Sequence, residues 1–143
     1  MPEADVDHIY DYPKGYIDDI LKSVKTIAMV GASGDKTKFS YGVLRVLHET
    51  GYEMLPVNPN PNINEIRGLK VYHSLKEIDK PVDMVQVFRR KEELLSVAKE
   101  AIEINAKVLW GQIGVYDDEA ANIATEAGLK VIMNRCPKIE LFR

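Results

Sequence analysis

The chain has 143 residues, of which 45% are apolar and 29% charged, so its composition is that of a globular protein rather than a disordered one. This length fits one domain of ordinary size that needs no metal ion or disulfide to fold. The net charge of −3 argues against a protein that holds nucleic acid by a broad basic surface.

The single cysteine and the polar N-terminus indicate a cellular setting. Cys136 has no second cysteine to pair with, so a reducing, intracellular environment is favoured. Residues 1–8 lack the basic and apolar regions of a secretory signal, and no apolar run approaches the ~18 residues that a membrane span needs. We therefore expect a cytoplasmic protein that forms one domain over residues 1–143, with an N-terminal extension over residues 1–15.

Apolar runs alternate with amphipathic ones along the whole chain. In chain order, the helical segments predicted are residues 16–23, 40–50 with Ser40 as the N-cap, a short turn at 74–78, 92–104, a helix capped by Asp117 that ends before Gly128, and a short terminal helix with Pro137 in its first turn. The strands predicted are residues 26–30, 53–57, 69–72, 82–88, 107–110 and 130–133, with 58–62 irregular because of its prolines and asparagines.

The predicted strands are continuously apolar rather than alternating, which is typical of a parallel sheet covered on both faces. Together with the intervening helices they predict an α/β fold with a single doubly wound, mainly parallel sheet of Rossmann-like type. Ligands of such sheets bind outside the carboxyl ends of the strands. We therefore look for functional residues there.

The loop after the first predicted strand favours a phosphorylated ligand. It reads Gly31-Ala32-Ser33-Gly34-Asp35-Lys36, followed by Lys38 and Ser40, so it combines flexible glycines with cations and hydroxyls. An ordinary strand-to-helix turn is the alternative. The loop lacks both the G-x-G-x-x-G spacing of dinucleotide sites and the P-loop pattern. In addition, Asn58-Pro59 stands where an NAD site would place an acid for the ribose.

Two later strands also end in polar residues. Phe88-Arg89-Arg90 follows the strand predicted at 82–88, and guanidinium groups suit phosphates. The alternative is a pair of solvated arginines at the start of a helix. Gln112 follows the next strand within Gly111-Gln112-Ile113-Gly114, and it is better placed to touch a ligand than Trp110, which we expect in the core.

These segments resemble a known family. The matching stretches run from Lys25 to Ser33, Pro56 to Asn58-Pro59, Val85 to Arg90, the Gly111–Gly114 turn and Asn134-Arg135-Cys136. In order and spacing they resemble the stand-alone CoA-binding domain proteins, which are related to the CoA-binding domain of the succinyl-CoA synthetase α-subunit. The resemblance covers nearly the whole chain.

The resemblance implies non-covalent binding of coenzyme A or an acyl-CoA by a carrier, a sensor or a partner subunit. Carried over position by position, it implies a site that comprises Gly31, Ala32, Ser33, Lys36, Lys38, Ser40, Asn58, Pro59, Phe88, Arg89, Arg90 and Gln112. The lysines and Ser40 would lie near the phosphates, and Asn58 and Pro59 beside the adenosine. A protein partner or a homo-oligomer is left open.

Catalytic and metal-binding residues are not predicted. The chain has three histidines, His8, His48 and His73, and none stands in a recognisable nucleophile or metal arrangement. The phosphorylated histidine of the synthetase belongs to a second domain, so the resemblance transfers no catalysis. The alternatives that stay open are an enzyme that acts on acyl-CoA and an NAD-binding Rossmann module.

Cys136 permits two interpretations. Free cysteines are usually small buried apolar residues, which is the favoured interpretation here. The other is a thiolate, stabilised by Arg135, that forms a mixed disulfide with the thiol of coenzyme A.

Overall fold

The computed structural model describes residues 11–143, and the elements in this part follow the predicted alternation. The strands are β1 (Thr26–Val30), β2 (Glu53–Val57), β3 (Glu65–Ile66), β4 (Leu69–Lys70), β5 (Met84–Val87), β6 (Val108–Gly111) and β7 (Lys130–Ile132). The helices are α1 (Lys14–Ser23), α2 (Phe39–Thr50), α3 (Leu94–Glu103), α4 (Asp118–Glu126) and α5 (Pro137–Leu141), with 3-10 turns at Leu75–Glu77 and Lys91–Glu93.

Five strands form one parallel sheet in the order β2-β1-β5-β6-β7. Val30 pairs with Val57 on one side and with Val87 on the other, so the carboxyl ends of three strands meet at one edge. The chain passes from β1 to β2 on one side and later crosses back to β5 on the other side of β1, which makes β1 and β5 the switch point where such sheets bind ligands. The predicted Rossmann-like α/β sheet is confirmed.

Both faces of the sheet are buried, which explains the continuous apolar runs. Ala28 and Val30 point into a layer formed with α3 and α4, whereas Ile27 and Met29 point into a layer formed with α1, α2 and α5. These side chains are at most 6% exposed. Burial of each large one contributes about 1.5–3 kcal/mol to folding, so the two layers fix the strand ends that form the site.

Two local predictions were wrong. The predicted strand at 69–72 is shortened to a small antiparallel hairpin of β3 and β4, and Tyr72 instead bridges Val57 at the end of β2. Ser40 does not cap α2, because Lys38 is the N-cap and Phe39 the first helical residue. Ser40 lies inside the first turn and is 8% exposed, so its small side chain is buried.

The residues predicted at three other helix boundaries occupy those positions in the structure. The Asp117 carboxylate accepts a hydrogen bond from the backbone N–H of Ala120 at 2.8 Å, as an N-cap should. Gly51 ends α2 in the left-handed conformation, with φ at 116°. Pro137 occupies the first turn of α5.

A carboxylate closes the amino edge of the sheet. Asp83 accepts hydrogen bonds from the backbone N–H groups of Lys25 at 2.8 Å and Thr26 at 3.2 Å, and it pairs with Lys107 at 3.5 Å. Partial burial works to raise the pKa of Asp83, but these backbone bonds and the lysine charge outweigh it and lower the pKa. The charged carboxylate therefore joins the amino ends of β1, β5 and β6.

Tyr16 of α1 and Tyr12, which precedes α1, form hydrogen bonds to the outer strand β7 and to the residue that follows it. The Tyr16 hydroxyl donates to the carbonyl oxygen of Val131 at 3.0 Å and accepts from its N–H at 3.1 Å. The Tyr12 hydroxyl accepts from the N–H of Met133 at 3.0 Å. Burial raises the pKa of both tyrosines, so both stay protonated at neutral pH. Among the helices in residues 11–143, none is long and apolar enough to cross a membrane.

Candidate functional site

Gly31 allows the ends of β1 and β5 to come together. Its φ is +93°, and a Cβ atom built on it would lie 2.2 Å from the carbonyl oxygen of Phe88. The N–H groups of Gly31 and Ala32 both donate to the carbonyl oxygen of Val57, at 3.1 and 3.2 Å. These two amides are therefore used within the fold, and what Gly31 contributes to the site is close approach rather than a hydrogen-bond donor.

Asn58 ties the loop after β2 to the loop after β1. Its Nδ2 donates to the carbonyl oxygen of Ala32 at 2.9 Å, and its Oδ1 accepts from the N–H of Asn60 at 2.9 Å. Its own N–H donates to the carbonyl oxygen of Tyr72 at 2.9 Å. The amide of Asn58 thus has partners at both ends and holds the wall of the site in place.

The loop between Ser33 and Lys38 carries its charges at the surface. Hydrogen bonds from the Thr37 hydroxyl and N–H, at 2.7 and 2.9 Å, lower the pKa of Asp35, and the Ser33 hydroxyl accepts from the N–H of Asp35 at 3.1 Å. Lys36 and Lys38 are exposed, and neither pairs with a carboxylate within residues 11–143. Lys36 is therefore open to an anion, whereas the charge of Lys38 also acts on Asp35 and helps to lower its pKa.

A cleft of about 760 Å³ opens on this edge, and we call it the arginine cleft. Ligand sites commonly have this size. Its walls combine aromatic and aliphatic side chains with cations and one neutral amide, and the lining residues are Phe39, Phe88, Arg89, Arg90, Glu93, Gln112, Ile113, Gly114 and Val115. The site residues predicted after β5 and β6 are therefore together in one cleft. Sequence reasoning missed Phe39, whose ring centroid lies 6.2 Å from that of Phe88.

Glu93 compensates the charge of the two arginines. Its carboxylate forms an ion pair with Arg89, and its second oxygen lies 3.4 Å from Nε of Arg90. The Arg90 side chain is 83% exposed and that of Arg89 only 34% exposed, so Arg90 is the more accessible cation. Arg89 lies in the loop before the 3-10 turn at Lys91–Glu93, so the helical spacing rule does not apply to this pair and the sequence did not reveal it.

A second cleft, of about 400 Å³, lies on the other side of this ion pair. Arg89 and Glu93 line both clefts, and the second is also bordered by Pro59 and His73. His73 contacts the carbonyl oxygen of Ile63 through Nε2 at 3.1 Å. Pro59 therefore reaches a cavity of the same edge, whereas Asn58 acts through the loop that it holds.

Trp110 in β6 and Cys136 after β7 have structural positions. Trp110 is buried and donates from Nε1 to the carbonyl oxygen of Arg135 at 2.9 Å. Cys136 is 1% exposed and belongs to the layer of α1, α2 and α5, which agrees with the interpretation as a small buried apolar residue. Within residues 11–143, no group of His, Cys, Asp and Glu side chains could hold a metal ion. The predicted tail histidine, His8, lies outside the described residues.

The fold and the cleft define a Rossmann-like α/β protein with a cationic, partly apolar cleft at the carboxyl edge of its sheet. The sequence profile of the CoA binding domain family matches residues 25–141, and the chain belongs to that family.

Known relatives agree with this assignment. The chain is 44% identical to an uncharacterized protein, YneT, of Bacillus subtilis, over 88% of this chain and 92% of that one. It is 30% identical to the alpha subunit of an ADP-forming acetate–CoA ligase from Pyrococcus furiosus, over 82% of this chain but only 28% of the subunit. A solved hypothetical protein from Pyrococcus horikoshii superimposes with a TM-score of 0.89 at 36% identity, over 94% of both chains.

Proposed function

We propose that this protein binds coenzyme A or an acyl-CoA non-covalently, at the carboxyl edge of its sheet, and acts as a carrier, a sensor or a partner subunit. The observation that carries the proposal is the arginine cleft, in which Arg89 and Arg90 follow β5 and face an otherwise largely apolar wall. The chemistry of coenzyme A matches both parts of this cleft. Its three phosphates suit the arginines, and its long arm, which has apolar and amide groups, suits the apolar wall. Membership of the CoA binding domain family supports the same ligand.

The phosphates would meet the cations of two neighbouring loops. Lys36 and Lys38 have no carboxylate partner within the described residues, and Arg90 is largely exposed. Guanidinium and ammonium groups bind phosphate oxygens strongly, particularly at the edge of a low-dielectric cleft. In this proposal Gly31, Ala32 and Ser33 form the turn on which the phosphates rest, Ser40 supports that turn from the start of α2, and Asn58 with Pro59 borders the adenosine.

Two alternatives are less well supported by the site. An NAD module needs an acid for the ribose diol after β2, but Asn58 stands there and its amide is already hydrogen-bonded at both ends. An acyl-CoA enzyme needs a nucleophile or a general base at the cleft. The arginine cleft offers only Glu93 among its carboxylates and histidines, and Glu93 is engaged by two arginines.

Calorimetric titration with coenzyme A and with NAD tests the proposal. Coenzyme A should bind at least tenfold more tightly than NAD, a difference of about 1.4 kcal/mol, because the site has several cations for the phosphates and no acid after β2 for the ribose. Tenfold tighter binding of NAD would overturn the assignment. Incubation with a set of acyl-CoA thioesters should leave them unchanged, and their turnover would instead establish an enzyme.

A further inference from the structure

The two glutamines of the 143-residue chain, Gln86 and Gln112, are hydrogen-bonded to each other. Gln86 lies in the central strand β5 and is fully buried, and its register partners Met29 and Trp110 belong to the apolar layer under α1 and α2. Its Oε1 has no hydrogen-bond partner among the described residues. A polar group in such surroundings destabilises the fold, and a methionine would fill the same space without that cost.

The single hydrogen bond that Gln86 makes is to a residue of the site. Nε2 of Gln86 donates to Oε1 of Gln112 at 3.0 Å. The backbone of Gln112 is already engaged, since its N–H donates to Val87 at 3.2 Å and its carbonyl oxygen accepts from Val115 at 2.8 Å. With its side-chain oxygen also taken, Gln112 offers the arginine cleft the N–H groups of its amide, for which no described residue is an acceptor.

We propose that Gln86 is a positioning residue that orients the Gln112 amide so that its N–H groups bind an amide carbonyl oxygen on the flexible arm of coenzyme A. This inference rests on the proposed function, and it identifies the arm of coenzyme A as the part of the ligand that Gln112 binds. The surroundings of Gln112 favour the arm over a phosphate. Its neighbours in the lining are the apolar Ile113 and Val115, whereas the two arginines follow Phe88 on the loop after the adjacent strand β5.

The amide orientation matters because Gln112 is held before the ligand arrives. A glutamine that rotates freely loses side-chain entropy when a ligand fixes it, and it presents its oxygen as often as its nitrogen. Gln86 removes both disadvantages. Loss of Gln86 should therefore weaken the binding of coenzyme A about fivefold, without weakening a ligand that has the phosphates but lacks the arm.

Titration of three variants with two ligands tests this inference. Gln86→Met should lower the affinity for coenzyme A about fivefold and leave that for adenosine 3′,5′-bisphosphate unchanged, since the bisphosphate has no arm. Gln112→Met should lower the affinity for coenzyme A by at least the same factor. The double variant should bind coenzyme A no more weakly than Gln112→Met alone, because Gln86 acts through Gln112. Met84→Leu, a change at a fully buried position of the same strand, is the control and should bind both ligands normally.

Equal losses for both ligands, no loss with coenzyme A, or additive losses in the double variant would each overturn the inference. A measurement on the free protein separates it from the proposed function. The side-chain NH₂ group of Gln112 should give a large heteronuclear NOE in the wild type, as a rigid group does, and a small one in Gln86→Met, where it is the only glutamine left. A rigid Gln112 amide in both proteins would refute positioning. Failure of the wild type to bind either ligand would refute the proposed function, and the role of the arm with it.

Discussion

Gly31 lies directly against the carbonyl group of Phe88, so close that a Cβ atom on residue 31 would be 2.2 Å from the oxygen. This contact lets the loops after β1 and β5 form one edge. Gly31→Ala should destabilise the protein by about 3 kcal/mol, since it adds a clash with backbone to the strain of a positive φ. Urea unfolding measures this loss.

Gly128 is the matched control for Gly31. It has nearly the same φ, +96°, but nothing lies within 4 Å of a Cβ built there. Gly128→Ala should therefore cost only about 1 kcal/mol, the conformational part of the effect. If both substitutions lower the free energy of unfolding equally, the close contact with Phe88 does not contribute to the cost of Gly31→Ala.

Arg89 and Arg90 should read the 3′-phosphate of coenzyme A. Replacement of both by alanine should lower the affinity for coenzyme A about tenfold and that for dephospho-CoA by less, because only coenzyme A has the 3′-phosphate that the guanidinium groups would bind. Glu93→Gln should have the opposite effect and strengthen coenzyme A about threefold, since it removes the carboxylate that engages both guanidinium groups. Calorimetry gives the affinities.

The control for the arginines is Arg45→Ala. Arg45 pairs with Glu49 at the same spacing of four residues, but on α2 and outside the arginine cleft. It should leave both affinities unchanged. Equal losses of coenzyme A and dephospho-CoA in the double arginine variant would show that these side chains do not distinguish the 3′-phosphate.

Asn58→Asp should destabilise the protein by about 2 kcal/mol and should create no NAD site. The carboxylate cannot donate to the carbonyl oxygen of Ala32 and would repel it at a distance near 2.9 Å. Asn62→Asp, in an exposed position of the same loop, should change stability by less than about 0.5 kcal/mol. A gain of NAD binding in Asn58→Asp would contradict the structural role of this amide.

Asp83→Ala should lower the free energy of unfolding by about 2 kcal/mol at pH 7, through loss of two backbone hydrogen bonds and the contact with Lys107. The pKa of Asp83 is lowered in the folded protein. The carboxylate therefore contributes its stability above the unfolded pKa of about 4, and this contribution is lost as the pH falls through the folded pKa.

The difference between wild type and Asp83→Ala should accordingly shrink below about pH 4. The exposed Asp79 provides the comparison, and Asp79→Ala should lie close to the wild type at every pH. Urea titrations from pH 7 to pH 3 measure both. A constant difference across this range would mean that the charge of Asp83 does not support the sheet.

Cys136 should not react with oxidised coenzyme A in the native protein, because it is 1% exposed and packs in the layer of α1, α2 and α5. Intact-mass measurement after incubation should show no adduct. The same incubation in urea should give one, which shows that the thiol itself is competent. A native adduct that dithiothreitol removes and Cys136→Ser prevents would instead support the redox interpretation.

The sequence predicted the sheet well, because its strands are short but continuously apolar runs, which a parallel sheet buried on both faces explains. It did not predict the hairpin of β3 and β4, since strands of two residues, Glu65–Ile66 and Leu69–Lys70, are too short to show a periodicity. The cap of α2 was misplaced because Ser40 has a favourable side chain for that position, whereas the burial of Ser40 depends on the packing of α2.

The candidate site was predicted in part. Strand ends give the positions of Phe88, Arg89, Arg90 and Gln112, because parallel strands end at the same edge. Other bonds of the site join loops that are far apart in sequence, so the sequence did not reveal them. The N–H groups of Gly31 and Ala32 donate to the carbonyl oxygen of Val57, and the side-chain amide of Asn58 donates to that of Ala32. Gln86 had a signal that was missed, namely a lone amide within an apolar strand.

The double hydrogen bond of the Tyr16 hydroxyl with Val131 also bears on how copies of this chain can meet. An outer strand normally exposes free N–H and C=O groups, and these can recruit a strand of another molecule and begin aggregation. Both outward groups of Val131 are taken by Tyr16, and Tyr12 takes the N–H of Met133 just beyond the strand. The β7 border is thereby closed to strand addition, so self-association through this border would first require α1 to detach.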